Sequence, residues 1–353
     1  MISLLMMNSQ LKEVASVFAK NSVEKKAQIS LVGDLALDRF VVGHVDRISP
    51  EAPVPVLLVE KEFEELGCAA NVVRNVGQFF PLFRALFMNC TGIMGVDSAA
   101  LRLKQNLEKL SPHQLKLEIF NDPTRPTSVK TRYIAGSTRS QHQLLRVDVE
   151  SIQPISKLLR DRVFQSIVGS LKSIQVLVLQ DYAKGLFDKE FLQKIIGAAK
   201  KEKVFTIVDP NRRTEAQAYA GASLITPNVE EAESLLGRSL HRGENDGEIA
   251  EACIELKEKL SLDVSMITRG RFGLSFCDQN SKVSHISSMA RGVSDVTGAG
   301  DTLVAVLAVC MSLGAEIDFA ARLANVAAGV VVGKSGTAVT NWEEMMKELQ
   351  SEG

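Results

Sequence analysis

"VLVLQDYAKGLFDKEFLQKIIGAAKKEKVFTIVD", residues 176–209, is the stretch whose reading decides the fold. It opens on a continuous apolar run (176–180), turns into an amphipathic segment at 188–201, and closes on a second apolar run (205–209). A strand that is apolar throughout must be covered on both faces, and such strands separated by a helix pair in parallel. The alternation continues outward. "ISLVG" (29–33), "SLIT" (223–226) and "SMIT" (265–268) read as strands, and 156–171 and 247–260 as helices. The expected class is α/β: three layers, with a mostly parallel central sheet between two layers of helices. Ligands of such sheets bind beyond the carboxyl ends of the strands.

Two regions break the alternation. Residues 54–66 and 127–150 read as extended strands with no helix between them, which predicts a small antiparallel β lid built from about 40–66 and 125–150. From Arg125 to Arg146 the chain carries Arg125, Lys130, Arg132, Arg139 and Arg146 without one Asp or Glu, the pattern of a local anion reader. A solvated edge strand, charged against aggregation, is the alternative.

The 353 residues suit one large α/β domain. With 45% hydrophobic and 24% charged residues and a net charge of −1, the composition is that of a globular protein and argues against general nucleic-acid binding. Five cysteines without a CxxC pair suggest reduced thiols, hence a cytoplasmic protein. "LVAVLAVCMSL" (303–313) is too short to span a bilayer and predicts a buried helix, so no membrane partner is expected. Residues 1–27 read as an added amphipathic helix facing inward through Leu4, Leu11, Val14 and Phe18, ahead of a main domain at 28–350.

The chemistry centres on "DVTGAGDT" (295–302), where a glycine run leads into the 303–313 helix. Backbone N–H groups of Gly298, Ala299 and Gly300 would then form an anion hole at a helix N-terminus. Asp301, in the first turn, is by itself either a cap or a base. Phosphoryl transfer needs both parts, donors for the transferring group and a carboxylate for the acceptor's proton. "GVVVGKS" (329–335) resembles a P-loop but has three residues between its glycines and follows a helical pattern. No GxGxxG follows the first strand, and no histidine spacing suggests zinc.

"GDLALDRF", "RISPEAPVPV", "GCAANVVRNV", "QDYAKG", "TPNVEEAE", "DVTGAGDT" and "AAGVVVGKSGT" occur in the order and spacing of the ribokinase-like (PfkB) sugar kinases. Over about residues 28–350 the chain resembles most the members that phosphorylate D-glycero-D-manno-heptose 7-phosphate in lipopolysaccharide synthesis. The resemblance implies a ribokinase-like fold, ATP and Mg²⁺ as cofactors, a monovalent cation near Ser335 and Gly336, and a homodimer formed lid to lid. It makes Asp301 the base, with Gly298, Ala299 and Gly300 over the phosphates. Asn228 and Glu231 would organise Mg²⁺ through water, although Asn228 also suits a helix N-cap. Thr268, Gly270, Gly273, Asn325 and Gly329 fall on the nucleotide side. Asp38, Gly67 and Asn71, with Asp181 of "QDYAKG", fall on the sugar side, and Asp34 is as well explained by capping a turn.

A phosphosugar brings its own phosphate, and Lys130, Arg132 and Arg146, with Lys184 behind them, are the expected readers of it. Cys68 stands where the family has a second glycine, and the chain carries no HxGH motif of the nucleotidyltransferase that follows many relatives. A PfkB kinase for another sugar and a non-catalytic sugar-phosphate sensor remain the competing readings.

Overall fold

The computed structural model describes residues 2–111, 113–137, 140–241, 244–289, 297–334, 336 and 338–350; Arg139, Asp295 and Ser335 lie outside them. In chain order the elements are α1 (Ile2–Ser22), β1 (Ala27–Gly33), β2 (Leu35–Ile48), β3 (Pro55–Cys68), α2 (Ala69–Gly77), β4 (Leu86–Met94), α3 (Ser98–Glu108), β5 (Leu115–Asn121), β6 (Ser128–Ser137), β7 (Ser140–Val149), α4 (Lys157–Leu171), β8 (Val176–Gln180), α5 (Lys189–Lys201), β9 (Phe205–Asp209), β10 (Leu224–Ile225), α6 (Val229–Leu236), α7 (Asp246–Lys259), β11 (Val264–Thr268), β12 (Leu274–Cys277), β13 (Val283–Ile286), α8 (Ala299–Ser312), α9 (Ile317–Val332) and α10 (Trp342–Glu348).

The 176–209 stretch folds as read. β8 and β9 are adjacent and parallel, with Gln180 opposite Asp209. The Asp188 side chain accepts from the Phe191 N–H at 2.8 Å and starts α5, whose buried face is Phe191, Leu192, Ile195, Ile196 and Ala199. Burial of each large apolar side chain contributes about 1.5–3 kcal/mol. Among the described residues nine strands form the sheet in the order β13-β12-β11-β10-β9-β8-β1-β4-β5. Every pairing from β5 across to β11 is parallel, and β12 at the far edge pairs antiparallel with both β11 and β13.

One apolar cluster joins α4, α5, α6 and α7 to one face of the sheet. A second joins α1, α2, α3, α8 and α9 to the other. α8 is apolar nearly all round and is buried between the sheet and α9, as expected of a helix without a polar face.

α1 is helical as predicted, but Val14 is 53% exposed, correcting its inward assignment. The stripe that docks is Leu11, Ala15, Phe18 and Ala19. The two alanines allow close approach, which seats the Phe18 ring 5.1 Å from that of Phe319 and turns Val14 outward.

The lid is a four-stranded sheet in the order β3-β2-β6-β7. Each hairpin is antiparallel, and the seam between them, β2 against β6, is parallel. Arg125 lies outside it and is a buried brace: it donates to Asp122 (2.9 Å), to the Lys184 carbonyl (2.8 Å) and to the Gln153 carbonyl (2.7 Å). Its place in the basic run therefore reflects structure rather than anion reading.

Candidate active site

The carboxyl ends of β9 and β11 and the amino end of α8 frame a cavity of about 450 Å³. Gly298, Ala299, Gly300, Asp301, Asn228, Glu231, Thr268, Gly270, Gly273, Asn325 and Gly329, read from four separate stretches, all line it. Gly298 has φ 85° and precedes α8 without a side-chain cap. The first N–H groups of α8 thus have no intrahelical acceptor, and the helix dipole adds to their pull on an anion.

Asp301 is buried in that first turn. Its Oδ2 accepts from Asn71 Nδ2 at 2.8 Å, and its Oδ1 from the Tyr182 hydroxyl at 2.7 Å and from Gln180 Nε2 at 3.3 Å. Burial lifts its pKa to about 6, although the hydrogen bonds from Asn71 and Tyr182 pull the other way. A carboxylate so tuned is ionised at neutral pH yet basic enough to take a hydroxyl proton. Asn71 is held in the first turn of α2: Asn75 Nδ2 donates to its carbonyl (2.9 Å), and Thr302 Oγ1 donates to Asn75 Oδ1 (2.9 Å), lacing α2 to α8.

Asp209 and Glu231 bring the cavity's acids to three with Asp301. Burial raises both pKa values, Asp209 further by the charges of Glu231 and Asp301, and Glu231 by that of Glu230. Uncompensated acids in one pocket call for a cation, and all-oxygen donors suit Mg²⁺. Among the described residues no three His, Cys, Asp or Glu side chains converge to hold a metal alone. Asn228 and Glu231 also form a reciprocal capping box on α6 (2.9 Å each way), so the structural role of Asn228 coexists with its place in the cavity.

On the lid side, Asp38 is buried and accepts from Arg132 Nη1 at 2.6 Å. A Cβ at residue 67 would lie 2.7 Å from the Asp38 carboxylate, so any larger residue there would displace Asp38. Lys130 Nζ sits 3.4 Å from Cys68 Sγ and 5.3 Å from the Tyr182 ring centre. Register puts Asp38 beside Lys130, and Arg132 directly opposite Arg146, so these four side chains share one face. Arg146 is bonded to Asp148 at 3.0 Å, and Lys184 to Glu150.

Asp181 does not line the cavity: its carboxylate accepts from the Ala183 N–H, the Thr214 hydroxyl and the Tyr219 hydroxyl at 2.6–2.8 Å. Asp34 caps the same turn through the Tyr182 and Lys184 N–H groups, and burial lifts its pKa to about 7.

The pattern of the pfkB family carbohydrate kinases matches residues 26–344. The chain belongs to the pfkB carbohydrate kinase family. The Bifunctional protein HldE of Paramagnetospirillum magneticum is 36% identical over 340 residues, which cover 96% of this chain and 67% of that protein. That of Caulobacter vibrioides is 41% identical over 317 residues, 90% and 62% respectively. The chain therefore spans about two thirds of the length of these relatives. Phosphofructokinase-2 from Escherichia coli, in complex with substrates and products, superposes with a TM-score of 0.74 at 16% identity, over 92% of this chain and 99% of that one. Arabidopsis thaliana ribokinase with ribose and ATP gives 0.68 at 18%, with the same coverage. Identities this low show the ribokinase-like fold alone.

In this pfkB chain residues 329–332 of the P-loop-like "GVVVGKS" are the last turn of α9, and Lys334 is spent on Glu344 (2.7 Å) and the Val339 carbonyl (2.8 Å). Two residues that touch Asp301, Tyr182 and Gln180, were not among the predicted site residues. They flank Asp181 within a motif that was noticed, but only the fold brings them to residue 301. Burial and the Asp301 charge raise the Tyr182 pKa, so its hydroxyl stays protonated and donates.

Proposed function

We propose that this kinase transfers the γ-phosphoryl group of ATP to the anomeric hydroxyl of D-glycero-D-manno-heptose 7-phosphate, giving the 1,7-bisphosphate, in ADP-heptose synthesis for lipopolysaccharide. The observation that carries the substrate is the basic lid face, where Lys130 and Arg132 reach the residues around Asp301 and Arg146 stands directly across from Arg132. Arginine forks suit a phosphate, which would share them with the Asp38 and Asp148 carboxylates that hold the two side chains in place. The relatives named HldE point the same way.

Asp301 takes the hydroxyl proton, while Asn71 and Tyr182 keep its oxygens aimed. Asp38 and Asn71 hold sugar hydroxyls. The first amides of α8 receive the phosphoryl oxygens, and closure of the lid keeps water from the donor. Asn228 and Glu231 would hold Mg²⁺ through water, and the ion supplies charge neutralisation on the phosphates. The protein acts in the cytoplasm, consistent with five free, buried cysteines, and as a homodimer through the lid.

Phosphorus NMR of a reaction with the heptose 7-phosphate and ATP tests the reading. The expected result is ADP with a second, anomeric phosphate signal; better turnover of unphosphorylated ribose or fructose overturns it. Arg132→Glu should raise KM for the phosphosugar at least ~10-fold, the scale of a lost charge-assisted pair, with little change for ATP. Equal effects on both substrates contradict phosphate reading by the lid.

A further inference from the structure

Gln180 ends β8 between Gly33 of β1 and Asp209 of β9, and is fully buried. Space for it exists because residue 33 has no side chain: a Cβ there would lie 2.8 Å from the Gln180 Cβ. Nε2 donates to Asp209 Oδ2 and, at 3.3 Å, to Asp301 Oδ1. Oε1 is buried and has no hydrogen-bond partner among the described residues. Leaving a buried amide oxygen unbonded costs on the order of 1–3 kcal/mol. Turning the amide over would set that oxygen against two carboxylates, acceptor against acceptor, which is worse. The orientation is therefore chosen by the two acids, each taking one N–H of a single nitrogen.

We propose that Gln180 is the positioning residue that ties the base to the phosphate side of the site, one amide N–H fixing Asp301 Oδ1 while the other is anchored on Asp209. The role rests on Asp301 acting as base, as proposed above, and holds for whichever sugar hydroxyl is the acceptor. It adds to Asn71 and Tyr182 something neither supplies. Those two reach Asp301 from α2 and from the turn after β8, whereas Gln180 sets a neutral donor between two buried carboxylates that would otherwise face each other unscreened.

The charged and titratable groups around Asp301 are Asp38, Lys130 and Cys68 from the lid, Tyr182 from the turn, and Asp209 from β9. Loss of the amide leaves both lid charges in place. It removes a donor from ionised Asp301 and exposes that carboxylate to Asp209. Both changes favour the protonated acid, so the base stays idle to higher pH.

The test compares the pH dependence of kcat/KM in the wild type, Gln180→Met and Gln180→Glu, using the best acceptor from a panel of sugars and sugar phosphates. Methionine keeps the length and removes the donor. Its acid limb should move up by about one unit, a loss of roughly 5-fold at pH 6 that has nearly vanished by pH 8. Glutamate keeps the shape, adds a third acid, and should move the limb further. A wild-type limb in both variants, with activity lowered evenly across pH, overturns the proposal and makes Gln180 a packing residue. Failure of the wild type to use the heptose phosphate would instead refute the substrate assignment, and the variant profiles on the best acceptor would still decide the role of Gln180.

Discussion

Asp301 joins two properties that oppose each other in water: it is buried, which favours the neutral acid, and it accepts three hydrogen bonds, which favour the anion. Its pKa of about 6 is the balance. kcat/KM should therefore rise with pH through about 6 and level off above it, because the base works only when ionised. Asp301→Asn should lower the rate of ADP release by ~10²–10⁴ at pH 8; similar rates in both proteins would remove Asp301 from the mechanism. Asp34 makes a separate prediction about stability. Its pKa is raised to about 7, first by burial and then by Asp181. A raised carboxylate stabilises the fold while protonated, and that stability is lost as pH rises through 4 to 7. Asp34→Asn, which keeps an acceptor for the two N–H groups, should flatten the fall in Tm between pH 5 and 8; a slope equal to that of the wild type would exclude Asp34 as its source. What could be read of the site before folding follows from distance along the chain. Asp301, Gly298 and Asn228 sit in short local motifs. Tyr182 and Gln180 reach Asp301 across 119 and 121 residues, a relation that no local pattern carries.

Among the elements, the strands in the middle of the sheet were legible because burial on both faces makes most of their residues apolar: β8 has all five residues buried, and β9 the middle three. β5 at the edge mixes Lys116, Glu118 and Asn121 with its apolar residues and was not read as a strand. α1 shows the limit of periodicity. Spacing alone left Val14 and Phe18 equivalent, and the shape of the surface formed by Phe83 and Phe319 chose Phe18. The stability that α1 lends should pass mainly through that ring. Phe18→Ala should cost about 2–4 kcal/mol in denaturant unfolding, below the full core value because the side chain is only partly buried, whereas Val14→Ala should change it by less than ~0.5 kcal/mol. Equal losses at the two positions would mean that α1 docks by another face.

At the scale of the whole molecule, the lid is the part whose sequence and surroundings disagree. The parallel sheet is covered on both faces by helices, but β7 is the outer strand of the lid, and its Leu145, Val147 and Val149 are 56%, 40% and 47% exposed. They fall on the face opposite Arg146 and Asp148, so the strand presents charge on one side and an apolar row on the other. An edge strand with such a row invites a second strand beside it, and the lid of a second copy offers the same row. Sedimentation of the protein should give twice the 38.5 kDa chain mass. The double variant Leu145→Glu with Val147→Glu should give a single chain, since two buried, unpaired acids cost more than the apolar contact they replace. Because the lid carries Lys130 and Arg132, the separated chain should also lose affinity for the phosphosugar before it loses affinity for ATP, which a pair of KM measurements would show. A wild type that sediments as one chain would remove the dimer, and a double variant that stays paired with both KM values unchanged would place the subunit contact elsewhere; either leaves the apolar row unexplained.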